Sequence, residues 1–453
     1  MTNDSVNQAT AVPEVATMGV VLPDGAIIEQ VANSRMLLRP PDGQFVIEPA
    51  IDYLGVRYVP VPLDGAFERA LHLPDGPAEF GGLRLLTQDL TTAIDRVLGL
   101  SVDDSLLVAG FVLCTWMSEF LPKSAVLNLF GPVGSELGLR HLLQVLCRRP
   151  LTIVDCALRQ LAQLPEGLSP TVFVPQPPEL TVRRLIAVGS DRNVVFGDRI
   201  VQTTCSLVVF SSTPLSLPAL RLKLPGAGPP YHQQQGLCDL QPRLLDYRLR
   251  RSPKVAASRF DAPQFAWETR GIARTLGPCF EGDAILQREV IAALEKHDEG
   301  TKARSAQSPE AVVLETLLAL IHEKQREAYI GELTELANAF LIARQQALQL
   351  GTYAIGKMLR DDFGLPTTRG RKGIFVPLNP ATAAAIHREA FARGVLSLLD
   401  PRADCQFCRA IVSDHAQPQA ASAPTAPNAP TTPDTSSTSG TPATETSKPE
   451  ARN

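Results

Sequence analysis

A chain of 453 residues, 44% hydrophobic and 20% charged, has room for about two to four domains and enough apolar content to bury a sizeable core. Its net charge of −4 excludes a protein coated in base, while leaving room for a local basic patch. The eight cysteines, at 114, 147, 156, 205, 238, 279, 405 and 408, sit mostly in apolar stretches. They fit small buried thiols of a reducing cytoplasm better than a disulfide framework.

Residues 1–17 are polar and are expected to be flexible, without the basic start and apolar run of a signal peptide. Residues 18–100 form a β-rich unit, with short runs such as AIIEQV and QFVIEP separated by turns at Asp24-Gly25, Asp42-Gly43 and Asp64-Gly65. The unit ends in a helical stretch, GGLRLLTQDLTTAIDRVLGL. Ser105 to Leu121 is the most apolar long segment. It is shorter than the roughly 20 residues a membrane span needs and contains Glu119, so it predicts a buried core helix and no membrane contact.

Residues 101–250 alternate strand and helix, which predicts a mostly parallel α/β sheet. Its strands are AVLNLF (125–130), TVFV (171–174) and SLVVFSST (206–213), with a helix over 139–149 and a hairpin at Gly197-Asp198. PGAGPP (225–230) is a flexible break, and residues 251–325 are helical, with an apolar stripe at Val312, Val313, Leu317 and Leu320. Residues 326–400 form a compact helical unit with a hairpin. Residues 401–453 carry a CxxC pair and an Ala/Pro/Ser/Thr tail too poor in large apolar side chains to fold.

LFGPVGSEL (129–137) nearly spells a phosphate-binding loop, in which backbone N–H groups and a helix N-terminus face phosphate oxygens. In the GxxxxGK[ST] pattern, Gly131 opens the motif and Gly134 and Ser135 fit. The three chemically demanding positions read Glu136, Leu137 and Gly138. A carboxylate about 4 Å from a phosphate charge costs roughly 4 kcal/mol at an effective dielectric near 20. Loss of the lysine forfeits a similar attraction, and together these lower affinity by about a thousandfold or more. Leu137 offers nothing to an anion, and Gly138 has no oxygen for Mg²⁺. The second apolar strand, where Asp-Glu would order metal and activate water, ends instead in Pro175 and Gln176. The plain alternative is that GPVG is an ordinary turn.

The order of these segments resembles the P-loop ATPases of the primase–helicase type carried by phages, plasmids and other mobile elements. The resemblance rests on Thr115-Trp116 closing a helix, LFGPVGS, LLQVLCRRP, PTVFV, LVVFSSTPL and LQPRLLDYRLRR, and spans about 18–400. It implies an α/β P-loop NTPase-like core with a β-rich N-terminal unit, a helical segment, a C-terminal winged helix and a disordered tail. It also implies nucleotide-driven work on DNA in mobile-element replication, and assembly with copies of itself or with related ATPases. The departures at Glu136, Leu137, Gly138, Pro175 and Gln176 point to a relative that has lost hydrolysis and needs no cofactor. Two rivals are a working ATPase in which Arg140 substitutes, and a protein–protein adaptor without DNA contact.

YIGELTELANAFLIARQQ and TYAIGKMLRDDFGL read as two helices, and PTTRGRKGIFVPLN as a hairpin with Gly370 and Gly373 at its tip. A winged helix of this kind lays its second helix in the major groove and its hairpin on phosphate. Lys357, Arg360, Arg369, Arg371 and Lys372 fall where such contacts need them, opposed by Asp361 and Asp362. Cys405 and Cys408 have ligand spacing, but a structural zinc needs four ligands. His415 offers a third and no fourth is evident, so the pair reads as idle or redox-active thiols and no metal is expected. The remaining histidines, His322 and His387 among them, follow no metal-binding spacing.

Overall fold

In the computed structural model the described residues are 12–153, 163–177, 179–190, 194–196, 199–201, 204–215, 218–225, 237, 239–305, 308–344, 348–393, 395 and 404–410. The expected hairpin tip at 197–198, most of the 225–230 break, His415 and the tail lie outside them.

The N-terminal unit contains β1 (Glu14–Ala16), β2 (Gly19–Val21), β3 (Ile27–Val31), β4 (Arg35–Arg39), β5 (Val46–Glu48), β6 (Ile51–Tyr53) and β7 (Val56–Val59). These form a four-stranded antiparallel sheet in the order β2-β3-β4-β5 and a three-stranded mixed sheet in the order β1-β7-β6, with β1 parallel to β7. At the first expected turn, Asp24 Oδ1 accepts the Ala26 N–H at 3.0 Å and Gly25 takes φ +87°. Asp64-Gly65 differs from the expected turn because it starts a helix, α1 (Gly65–Leu71). Asp64 Oδ1 accepts the N–H groups of Ala66 and Phe67 at 2.9 and 2.7 Å, an N-cap that outcompetes the turn.

Two helices follow, α2 (Leu83–Leu98) and α3 (Val102–Trp116). Ser101 caps α3 through the Asp104 N–H at 3.1 Å. Residues 105–116 of α3 are all buried, as an all-round apolar helix requires. Among the described residues no single helix is long and apolar enough to cross a membrane.

The main sheet is built from β8 (Val126–Phe130), α4 (Leu137–Leu146), β9 (Pro150–Thr152), β10 (Thr171–Pro175), α5 (Glu179–Ser190), the antiparallel pair β11 (Val194–Phe196) and β12 (Arg199–Val201), β13 (Ser206–Ser211) and β14 (Leu220–Lys223). Helix α4 stops at Leu146, short of the expected 149, because Cys147 is already extended and Arg149 takes φ +49° before β9. The strand order is β14-β8-β13-β10-β9, and every pairing is parallel.

Residues alternate between two faces, as strand geometry demands. Leu127, Leu129, Phe173, Val208 and Phe210 join the cluster that includes α3, whereas Val126, Val172, Val174, Leu207 and Val209 form a separate cluster with Val182 and Leu185 of α5. Burial on both faces explains why these strands read as unbroken apolar runs. The crossover from β8 leads toward β9 at one edge and that from β13 leads to β14 at the other. The order thus reverses between β8 and β13, and the crevice at their carboxyl ends is where an open parallel sheet places a ligand.

Helices α6 (Leu240–Ala257), α7 (Trp267–Leu276) and α8 (Ala284–Ser305) pack on the α3 side, contributing Leu244, Tyr247, Leu276 and Leu294 to that cluster. A largely buried ionic cluster, Glu29, Glu119, Arg148, Arg149 and Arg248, joins β3, the turn after α3, the α4–β9 corner and α6. The chain then runs through α9 (Pro309–His322), β15 (Glu327–Tyr329), α10 (Ile330–Ala343), α11 (Thr352–Lys357), a π-turn at Met358–Asp362, β16 (Thr368–Gly370), β17 (Gly373–Pro377) and α12 (Pro380–Ala392). These share a second core, which includes Leu317, Leu333, Ile355, Leu359, Val376 and Ile386.

Candidate functional site

The sequence places its candidate nucleotide loop between β8 and α4, and the fold puts it at the reversal crevice. Several of the loop's backbone N–H groups are already paired. Gly131 N–H donates to Ser211 O at 3.1 Å, Ser135 N–H to Pro132 O at 3.1 Å, and Leu137 N–H to Gly134 O at 3.4 Å. Gly134 N–H donates to Glu136 Oε2 at 2.8 Å, so the chain's own carboxylate takes a donor that a phosphate-binding loop reserves for its ligand. The Ser135 hydroxyl is buried and donates to Pro132 O at 2.6 Å.

Both glycines at the start of the motif meet demands of the fold. Gly134 has φ +91°, and a Cβ on Gly131 would lie 3.2 Å from Leu224 Cβ. Gly138, at the magnesium position of the pattern, faces Val97 of α2, and Leu137, at the lysine position, is exposed. Arg140 lies within α4, its N–H donating to Glu136 O at 2.8 Å.

At the end of β10, Pro175 completes the strand. Gln176 takes φ +46°, its N–H donating to Phe210 O at 2.9 Å and its side chain exposed. Neither residue carries a carboxylate. Between these two strand ends, Ser211 accepts from Asn128 Nδ2 at 2.8 Å and donates to Thr213 O at 2.7 Å. A cavity of about 660 Å³ adjoins the same sheet at its opposite end, lined by Ala125, Val126, Leu220, Ile186 and Phe265, and does not reach the loop.

The five basic residues singled out in the C-terminal unit are all exposed. Lys357 and Arg360 lie on α11 and its π-turn. Arg369 lies on β16, and Arg371 and Lys372 form the two-residue tip between Gly370 and Gly373. Their elements share one core through Ile355, Leu359 and Val376, which holds helix and hairpin together. Lys372 Nζ lies 5.9 Å from the centre of the Tyr329 ring, and Tyr353, one turn before Lys357, is 82% exposed.

The residues that could hold a metal are elsewhere, in a group that the sequence expectation of no metal did not foresee. His322, His387, Cys405 and Cys408 each bring one ligand atom to within 4.8 Å of the others. The sequence reading missed the two histidines because they stand 65 residues apart and only tertiary packing joins them.

No protein-family profile matches the chain. No curated protein matches it either. Among solved structures, it is similar at 9% identity to the apo NrS-1 C-terminal region, covering 78% of this chain and 97% of that one with a TM-score of 0.29. A full-length MCM homologue from Methanopyrus kandleri is 14% identical over 59% of this chain and 74% of that one, TM-score 0.30. Drosophila ORC bound to DNA is 13% identical over 72% and 93%, TM-score 0.18.

Proposed function

We propose that this chain is a non-hydrolysing relative of P-loop ATPases that binds duplex DNA through a C-terminal winged helix and offers its α/β domain as a docking platform. The observation that carries the first part is the Glu136 carboxylate on the Gly134 N–H. A triphosphate would have to displace a charge already seated in the loop, and it would find neither a lysine at 137 nor a hydroxyl at 138 to offset the cost. The absence of a carboxylate at Pro175 and Gln176 removes the usual means of ordering metal and activating water.

The DNA reading is supported by the order helix, strand, helix, helix, hairpin, with Lys357 and Arg360 exposed on the third helix and its turn and three bases on the hairpin. Partners for the platform are other copies of the chain or active ATPases of the same type, and the process is mobile-element replication. Calorimetric titration of the full chain with Mg²⁺-ATP tests the central point. The expected result is no saturable heat; micromolar binding, or turnover of ATP, would overturn it.

A further inference from the structure

We infer that His322, His387, Cys405 and Cys408 form a tetrahedral zinc site that fastens the segment 404–410 to the C-terminal helical unit. The four residues arrive from three places. His322 ends α9 and His387 lies in α12, while Cys405 immediately precedes a short helical turn at 406–410 and Cys408 lies within it. Both helices are firmly started by an N-cap followed by proline at the first helical position. Ser308 accepts the Ala311 N–H at 3.1 Å ahead of Pro309, and Asn379 accepts the Thr382 N–H at 3.0 Å ahead of Pro380. The imidazoles are therefore carried on elements whose position is set independently of the cysteines.

Three of the separations are within about 0.3 Å of those between ligands around one ion. With Zn–N near 2.0–2.1 Å and Zn–S near 2.3 Å, a tetrahedron places two nitrogens roughly 3.3–3.4 Å apart and a nitrogen and a sulfur about 3.5–3.6 Å apart. His387 Nε2 and His322 Nε2 are 3.3 Å apart, Cys405 Sγ is 3.3 Å from His387 Nε2, and Cys408 Sγ is 3.6 Å from His322 Nε2.

The orientation of His387 fits as well. Its Nδ1 is 2.8 Å from the Ala383 carbonyl, which places a proton there and leaves the Nε2 lone pair for the ion. Phe407, between the two cysteines, lies with its ring 5.3 Å from the His387 ring and shields that side. His387 and Cys408 are buried and the other two half-buried, so the set is closed rather than open to substrate. Two thiolates and two imidazoles with no vacant position select zinc in a structural role.

The test is metal analysis of the full chain purified under reducing conditions without chelator. One zinc per chain is expected. After chelator removes it, Co²⁺ should titrate to one equivalent with the visible ligand-field bands of a tetrahedral ion and a thiolate-to-cobalt charge-transfer band, both abolished by added Zn²⁺. Cys405→Ser and His322→Ala, at the two half-buried positions, should each lose the stoichiometric zinc while retaining the helical circular dichroism of the chain.

If the wild-type chain is folded but takes up neither zinc nor tetrahedral cobalt, four side chains joined only by hydrogen bonds explain the cluster and the inference is overturned. Retention of metal by both variants would also overturn it, by placing the ion elsewhere. The wild-type cobalt titration decides the matter even where a variant fails to fold.

Discussion

Arg248 Nε donates to Glu29 Oε1 at 2.6 Å across 219 residues of chain, joining α6 to the N-terminal sheet. Glu29 also accepts from Arg148 at 2.9 Å and Arg149 at 2.5 Å, and Glu119 accepts from Arg148 at 2.7 Å and Arg248 at 2.8 Å. Glu29 and the three arginines are all buried. Removing one member of such a set leaves charges stranded in a low-dielectric interior, at a cost of about 3–5 kcal/mol. Glu29→Ala is expected to destabilise the chain by that order in urea unfolding followed by circular dichroism. A loss below about 1 kcal/mol would show the cluster to be far less coupled than its geometry implies.

The same cluster sets a pH dependence. Burial alone would raise the Glu29 carboxyl, but Arg148, Arg248 and Arg149 outweigh it and bring the group from the ordinary 4.5 down to about 2. The folded state therefore binds fewer protons than the unfolded chain between these values. The stabilisation is present above pH 4.5 and is lost as pH falls through about 2. Glu119 shifts the same way, with burial opposed chiefly by Arg148 and Arg248. Thermal midpoints should be flat from about pH 7 to 5 as far as this cluster is concerned and fall steeply below, with a shallower fall in Glu29→Ala. Equal slopes in the two proteins would remove Glu29 from the account.

The three central strands of the sheet, β8, β10 and β13, were legible because they are buried on both faces and so read as apolar runs, whereas the short edge strands β9 and β14 gave no such run. The missing charges at Glu136, Leu137, Gly138, Pro175 and Gln176 were legible as chemistry, residue against pattern. The contact of Glu136 with Gly134 was not, since it depends on how a side chain folds back on its own loop. Glu29 gave only a faint signal, one acid inside AIIEQV, and Glu119 a stronger one within the apolar segment Ser105 to Leu121, which runs past the end of α3. A charge in a buried run needs a partner, but pattern alone does not say which arginine supplies it. The histidine pair was illegible for the same reason: His322 and His387 meet through packing of α9 on α12, which no local spacing encodes.

Restoring the consensus tests whether the loop is otherwise intact. In the triple variant Glu136→Gly, Leu137→Lys, Gly138→Ser, the carboxylate leaves the Gly134 N–H and a lysine enters. A Cβ at 138 meets only Val97 Cγ1, at 3.4 Å, an ordinary contact. The expected outcome in calorimetry is a gain of Mg²⁺-ATP binding without turnover, because Pro175 and Gln176 still supply no carboxylate. A folded variant that stays silent toward ATP would mean that GPVG is an ordinary turn.

Asn128 ties β8 to the end of β13 and to the Leu215 turn from inside the sheet. Its Oδ1 accepts the Leu215 N–H at 3.0 Å and its Nδ2 donates to Ser211 Oγ at 2.8 Å and Val209 O at 3.3 Å, all from a fully buried position. Asn128→Ala strands these groups and should cost about 1–3 kcal/mol in denaturant unfolding. It should also raise amide exchange at Leu215. Unchanged exchange there would indicate that the Leu215 turn is held by other contacts.

The salt dependence of DNA binding separates a nucleic-acid surface from a solvated basic hairpin. Arg369, Arg371 and Lys372 are exposed, so their replacement by alanine should leave the fold intact. If all three neutralise phosphates, the slope of log K against log salt on duplex DNA should become shallower by about 2.7, at roughly 0.9 per phosphate. Affinity should fall uniformly across duplex sequences, because phosphate contacts position a protein without reading bases. Lys357→Ala, on the helix proposed to enter the major groove, should instead weaken binding unevenly between duplexes. A triple variant that binds with the wild-type slope would leave the hairpin with no role in DNA contact and would turn the C-terminal unit into a protein-docking module.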